Sequence, residues 1–166
     1  KLNWLNAQYI KSLPPEKLIE HTMPFIEAAY PKADKAYAGK VIKCFYDRLK
    51  TFVEIVPLTE YFFKDDFSID PEAKAKYLDK FTLSGVEGPG AKDIIVKLRE
   101  KLSKVSVYNK ETLEPVFKGL AEELKIKLGE IIHPTRVLLT GRAESPGIYD
   151  VLELLGKEKT LRRLGH

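Results

Sequence analysis

The groups of this sequence that could recognise a polar or anionic ligand are concentrated in residues 133–164, HPTRVLLTGRAESPGIYDVLELLGKEKTLRRL. Arg136 and Arg142 flank a predicted turn, and Ser145-Pro146-Gly147 predicts a helix start, where backbone N–H groups have no partner within the helix. Because guanidinium and N–H groups both donate hydrogen bonds, such a turn could bind a nucleic acid. The pattern alone nevertheless favours an ordinary corner between two packed helices.

Two predicted helices, joined by this turn, must position these groups. Pro134 suits the first position of one helix, which continues to a stop at Gly141. Ser145 is the predicted N-cap of the next helix, and Pro146 is its first residue. Gly156 ends that helix before a basic run. Four residues at helical spacing give it one apolar face: Ile148, Val151, Leu152 and Leu155.

A third arginine occupies an unusual position in a helix predicted over residues 34–51. Val41, Phe45 and Phe52 share one side of this helix at about 100° per residue, and Arg48 projects from the middle of that apolar side. A charge there is costly unless it is paired. The residues leave two interpretations open, a buried ion pair with a carboxylate or a groove that a ligand fills.

Composition indicates a soluble globular protein of one domain or two small helical ones. The chain has 166 residues, of which 44% are hydrophobic and 31% are charged. No apolar run approaches the roughly 18 residues of a membrane span, and we recognise no signal peptide, so we expect no membrane association. The net charge of +4 permits RNA binding without requiring it.

Side chains for catalysis or metal binding are sparse. Cys44 is the only cysteine, which excludes an internal disulfide and a cysteine-based zinc site. The histidines, His21, His133 and His166, form no ligand cluster and no Ser–His–Asp arrangement, and we assign local packing to His133. We therefore expect no catalytic residue, no metal site and no cofactor in this chain.

The other segments also predict helices, and together they predict an all-α fold. A helix begins at Asp70 and continues through Phe81, residues 92–105 form another, and Asn109 caps a third. We place a boundary after an aromatic segment that we expect to pack in a core or between subdomains, which gives subdomains at 1–68 and 69–166. One further helical face is predicted to be core, and it comprises Trp4, Leu5, Tyr9 and Ile10.

Three segments carry a resemblance to a known family: WLNAQYI near the start, and HPTRVLLTG and ESPGIYDVLELLGKEKTLRRL near the end. They resemble the C-terminal region of bacterial and organellar glutamyl-tRNA synthetases, and the resemblance extends from Trp4 to Leu164. In that family this all-helical region grips the anticodon of tRNA. The resemblance implies a two-subdomain helical bundle, or cage, at the C-terminus of a class I synthetase.

The resemblance also implies which residues contact the anticodon. Arg48 resembles the arginine that contacts the third base, and Arg136 resembles a second anticodon contact. A guanidinium suits the O2 and N3 acceptors of cytosine, which ends a glutamate anticodon, whereas guanine, which ends a glutamine anticodon, presents donors. The family's Ser/Thr-Pro-Gly-aliphatic corner lies against the first and second bases and is matched here by Ser145, Pro146, Gly147 and Ile148.

The implied partner is a glutamate tRNA, and we expect a monomer. Because the chain begins without an initiator Met, we interpret it as a fragment whose catalytic domain lies N-terminal to Lys1 and uses ATP and Mg²⁺. We expect the protein to be located in the cytoplasm of a bacterium, with an organelle as the alternative location. Two other functions stay open, the helical cage of a class I lysyl-tRNA synthetase and a helical protein-interaction module without RNA binding.

Overall fold

Helices form all the regular secondary structure over residues 1–79 and 90–165, the part of the chain that this computed structural model describes. The predicted all-α fold is confirmed. The α-helices in chain order are α1 Leu2–Ser12, α2 Pro15–Ala29, α3 Lys35–Lys43, α4 Ile55–Phe63, α5 Pro71–Lys74, α6 Ala91–Ser103, α7 Lys110–Leu124, α8 Leu128–Thr140 and α9 Ile148–Leu164. A 3₁₀ turn at Phe52–Glu54 precedes α4, and a π-helical turn at Ala75–Asp79 follows α5. Across these two ranges, no helix is both long and apolar enough to cross a membrane.

The chain divides into two compact units, residues 1–66 and 67–166. In the first unit, helices α2, α3 and α4 pack on one another around an aromatic and aliphatic core. Phe45 meets Phe62 edge to face, with ring centroids 6.2 Å apart. Tyr61 and Phe62 are each 1% exposed, so the core packing predicted for the aromatic segment is confirmed for both.

In the second unit, helices α6 to α9 pack against each other with their apolar faces inward. Asn109 caps α7 as predicted, since its Oδ1 accepts a hydrogen bond from the Thr112 N–H at 3.0 Å. Asp70 caps α5 through the Glu72 N–H, and the predicted end of that helix at Phe81 lies outside the described residues. The buried apolar residues of this unit include Ile94, Leu98, Leu113, Phe117, Leu120, Ile131, Val137 and Leu152.

The helical face predicted from the start of the chain is mostly exposed. Ile10 is buried, but Trp4 is 64% exposed and Tyr9 is 56% exposed, so the core packing predicted for them is wrong. Periodicity identifies an apolar face on α1 without identifying what covers it, and only the end of this face reaches the core of the described residues.

The third helix ends earlier than its apolar pattern predicts. α3 stops at Lys43, and residues 44–48 form successive turns. Phe45 and Leu49 are still buried, because the turns keep a spacing close to that of a helix. The segment contains no Gly or Pro that would have marked the end of the helix.

The corner between α8 and α9 is tied to an earlier segment of the second unit. Gly141 ends α8 in the left-handed conformation at φ 74°, as its predicted stop requires. Its carbonyl accepts a hydrogen bond from the Asp70 N–H at 2.8 Å. Pro134, in contrast, lies inside α8 and not at its start, because the helix already begins at Leu128, where Glu130 accepts the Lys127 N–H.

Gly156 interrupts the last helix as the sequence predicts. Its φ of 77° and ψ of 169° are not helical, so the helix breaks there and the basic run forms a second segment that ends at Leu164. Arg163 of this segment is buried, and its Nη1 donates to the Leu139 carbonyl at 2.7 Å. Its guanidinium also lies over the Phe67 ring, with 4.6 Å between Cζ and the ring centroid.

Candidate nucleic-acid interface

Arg136 and Ser145 are brought together at the α8–α9 corner. The Arg136 Nε donates to the Ser145 Oγ at 2.9 Å, and the same hydroxyl donates its proton to the Pro146 carbonyl at 2.7 Å. Because the hydroxyl has one proton, this arrangement directs its lone pairs towards the guanidinium. Ser145 is 8% exposed and Arg136 is half-buried. The corner therefore fixes the direction of an arginine at its surface.

The start of α9 differs from its predicted form. Gly147 is the N-cap, and the helix begins at Ile148, so the prediction that Ser145 caps it is wrong. With Gly147 as the N-cap, Ser145 lies two residues before the capping position, and its hydroxyl bonds instead to the Pro146 carbonyl and to Arg136. No side chain caps this end, and Asp150 carries a carboxylate in the first turn. That negative charge makes the helix start a poor phosphate site and leaves its N–H donors better suited to a neutral base.

The four residues of the corner differ in exposure. Ser145, Pro146 and Ile148 are buried, whereas Gly147 is exposed. A side chain at Gly147 would approach the Asp150 carboxylate, since an added Cβ would lie 3.1 Å from Oδ2. The corner therefore presents backbone atoms to its surroundings, and its buried side chains shape that backbone.

A ring pair lies one helical turn before Arg136. Tyr77, from the π-helical turn, stacks on His133 of α8 with ring centroids 4.8 Å apart and an interplanar angle of 16°. The packing role predicted for His133 is therefore confirmed, but no local pattern indicated its partner, which lies far away along the chain. Burial, with Arg136 and Lys76 nearby, holds the pKa of His133 below its ordinary value.

Arg48 lies in the turns that follow α3, within the first unit. It is exposed, so the prediction that it projects from an apolar helical face is wrong. The buried residue at this point is its neighbour Leu49, which is 1% exposed. The Glu54 carboxylate orders the next residues by accepting the N–H of Lys50 at 2.8 Å and of Thr51 at 3.2 Å. Exposure excludes the buried ion pair as an explanation and leaves this guanidinium accessible to a ligand.

Comparison with known proteins identifies the family. The model of the family described as "Anticodon binding domain" matches residues 17–166. The chain belongs to the anticodon-binding domain family. It is 39% identical over 169 residues to a glutamate–tRNA ligase of Thermodesulfovibrio yellowstonii, and the match covers 99% of this chain and 34% of that protein. It is 36% identical over 172 residues to a glutamate–tRNA ligase of Desulforudis audaxviator, with 99% of this chain and 33% of that protein covered.

The anticodon-binding domain thus spans about one third of the length of these relatives, and it matches their C-terminal third. The fold agrees with a solved structure of a glutamate tRNA ligase from Elizabethkingia meningosepticum, with a TM-score of 0.81 at 22% identity. That match covers 98% of this chain and 30% of the other. Within residues 1–79 and 90–165, no group of three or more His, Cys, Asp or Glu is placed to hold a metal ion.

Proposed function

We propose that this anticodon-binding domain reads the anticodon of a glutamate tRNA as the C-terminal part of a glutamate–tRNA ligase. The observation that carries the proposal is Arg136, held at the α8–α9 corner by the Ser145 hydroxyl at 2.9 Å, in a chain whose relatives are named glutamate–tRNA ligases. A guanidinium held in one direction can select a base by its acceptor pattern, whereas a freely rotating one contributes mainly charge.

The corner contributes in two ways. Arg136 and the backbone at Gly147 contact the first and second bases. The buried side chains of Ser145, Pro146 and Ile148 hold that backbone and the arginine in place. Hydrogen bonds to the Watson–Crick edges of unpaired bases provide the sequence specificity, as is usual for single-stranded RNA.

Arg48 reads the third base. Its exposure and its ordered turn support this role, because the guanidinium fork can donate to both O2 and N3 of a cytosine. The same fork meets the N1–H and N2–H₂ donors of a guanine, which repel it. The domain therefore prefers a glutamate anticodon, which ends in cytosine, over a glutamine anticodon, which ends in guanine.

The substitution Arg48→Gln tests this assignment. We expect the wild-type domain to bind a tRNA transcript ending its anticodon in cytosine more tightly than one ending in guanine, by about 1–3 kcal/mol. The amide of glutamine can both donate and accept, so the variant should lose most of this preference.

The matched control is Lys50→Gln, which removes the same charge two residues away. It should weaken binding to both transcripts by the same factor and keep the preference. Dissociation constants from fluorescence anisotropy at one fixed salt concentration give the comparison. A preference for cytosine that is unchanged in Arg48→Gln would refute the assignment.

The complete protein, on this proposal, joins glutamate to its tRNA, with ATP and Mg²⁺ bound by a catalytic part outside this chain. It acts as a monomer in the cytoplasm of a bacterium, which is consistent with the bacterial origin of the relatives.

A further inference from the structure

The π-helical turn Ala75–Asp79 carries an exposed lysine over a ring pair. The Lys76 Nζ lies 5.1 Å from the centroid of the Tyr77 ring, and Tyr77 in turn stacks on His133 at 4.8 Å. A cation over the face of an aromatic ring is attracted by the ring quadrupole, so the lysine side chain is held on this surface. Interruptions of π-helical type inside helices are also frequent at functional sites.

The charge around this ring pair is positive. Among the described residues, the charged groups that act on the His133 imidazole are Arg136 from its own helix and Lys76 from the π-helical turn. In the described ranges, no carboxylate lies within 4.0 Å of the Lys76 ammonium. Lys97 and Lys101 of the same unit, in contrast, both pair with Glu123. Among the described residues, Lys76 is thus an exposed cation held in place by an aromatic ring and by no acidic side chain.

The position of Lys76 connects it to the anticodon corner. His133 and Arg136 are three residues apart on α8, which places them on the same face of the helix one turn apart. The ring pair therefore links Lys76 to the surface on which Ser145 holds the Arg136 guanidinium. An anion that approached this surface would meet two cations and a half-buried neutral ring.

We propose that Lys76, seated on the Tyr77–His133 ring pair, binds a phosphate of the single-stranded RNA next to the base that Arg136 contacts. The proposal rests on the proposed function, and it adds the backbone contact that sets the register of the anticodon on the corner. Phosphate contacts position a nucleic acid without reading its sequence, and the compact charge of a lysine suits this role.

The substitution Lys76→Gln, measured in the 166-residue chain with tRNA transcripts, tests the proposal. The slope of log Kobs against log salt concentration should decrease by about 0.7–1, because one fewer counterion is released. Binding should weaken by the same factor for transcripts with the glutamate anticodon and with a changed base, so that the preference is retained. The control Lys104→Gln removes an exposed lysine that pairs with Glu100 at 3.1 Å, and it should leave the slope unchanged.

The His133 ring gives a second measurement, because its pKa reports the charge beside the ring pair. In an NMR titration of the free chain, Lys76→Gln should raise the pKa of His133, because one of its two repelling cations is removed. Saturating wild type with the glutamate tRNA should also raise this pKa, because a phosphate then lies beside the ring pair.

The outcomes separate the two proposals. Equal salt slopes for wild type and Lys76→Gln, with the anticodon preference intact, would overturn the phosphate site alone. A His133 pKa that tRNA does not move would overturn it as well. If the wild-type chain showed no preference for the glutamate anticodon, the proposed function would be refuted, and the phosphate site, which depends on it, would be refuted too.

Discussion

At the scale of single residues, the Ser145 hydroxyl joins the backbone of the α8–α9 corner to the Arg136 side chain. Its one proton goes to the Pro146 carbonyl at 2.7 Å, and its lone pairs accept from the Arg136 Nε at 2.9 Å. A residue that is 8% exposed has little surface to offer an RNA base. On the proposed function, Ser145 is therefore a positioning residue that acts through Arg136.

Removal of that hydroxyl should weaken base discrimination more than overall binding. In Ser145→Ala the arginine keeps its charge but loses a hydrogen bond worth about 1 kcal/mol, so it can turn away from its base. The penalty for a changed first or second anticodon base is the ratio of the dissociation constants for the changed and the glutamate transcript. We expect this ratio to be severalfold smaller for Ser145→Ala than for wild type.

The control for this prediction is Ser145→Thr, which retains a hydroxyl at the same position. It should keep the discrimination of wild type. If Ser145→Ala kept the full penalty for a changed base, the positioning role would be wrong.

His133 gives a prediction on pH. Burial, together with Arg136 and Lys76, lowers its pKa in the folded chain below the ordinary value of 6.5. The unfolded chain therefore binds the proton first as pH falls, and folding stability is lost progressively below about pH 6.5. In urea unfolding at about pH 7.5 and pH 5.5, wild type should lose more stability than His133→Gln, which has no imidazole to protonate. An equal loss of stability in wild type and His133→Gln would show that the His133 pKa is not lowered by folding.

The two arginines differ in how far the sequence could predict their positions. The sequence alone indicated that Arg136 flanks a turn between two helices, where packing does not require a charged side chain. The structure places it at the α8–α9 corner. For Arg48 the helical pattern predicted a position on the apolar face, whereas the side chain is exposed. The pattern misled because Phe45 and Leu49 keep helical spacing through turns that are not a helix. The Tyr77–His133 ring pair could not be predicted, since local pattern contains no information on contacts between distant segments.

At the scale of elements, the α8–α9 corner depends on Gly141. The residue combines a φ of 74° with a close approach to Ser68 and Phe67, and an added Cβ would collide with the Ser68 carbonyl oxygen. The sequence predicted the helix stop from the glycine itself. It could not predict the close approach to Ser68, which comes from the tertiary fold.

Gly141→Ala should therefore destabilise the chain by about 1–3 kcal/mol, because strain and a steric collision with the backbone act together. The matched control is Gly119→Ala on the exposed face of α7, where an added Cβ meets nothing within 4 Å. That substitution should stabilise the chain by up to about 1 kcal/mol, since alanine is the better helix former. Urea unfolding of both variants gives the comparison. Equal effects would show that the corner has no special requirement for glycine.

At the scale of the whole molecule, each of the two compact units carries one of the proposed base-reading arginines, Arg48 in residues 1–66 and Arg136 in residues 67–166. Apolar periodicity and capping residues were enough to predict an all-α fold, because these signals are local in the chain. The exposed face of α1 was not predicted, because periodicity identifies an apolar face but not its partner. Shared sequence words indicated the family, and the match over residues 17–166 confirms it.

The central claim is that this anticodon-binding domain prefers a glutamate anticodon, and binding of three tRNAs tests it most directly. We would measure the dissociation constants of the 166-residue chain for transcripts with glutamate, glutamine and lysine anticodons on one tRNA body, over a range of salt concentrations. The glutamate transcript should bind most tightly at every salt concentration, and all three affinities should fall as salt rises. Equal affinities for the three transcripts, or binding that does not respond to salt, would contradict the account.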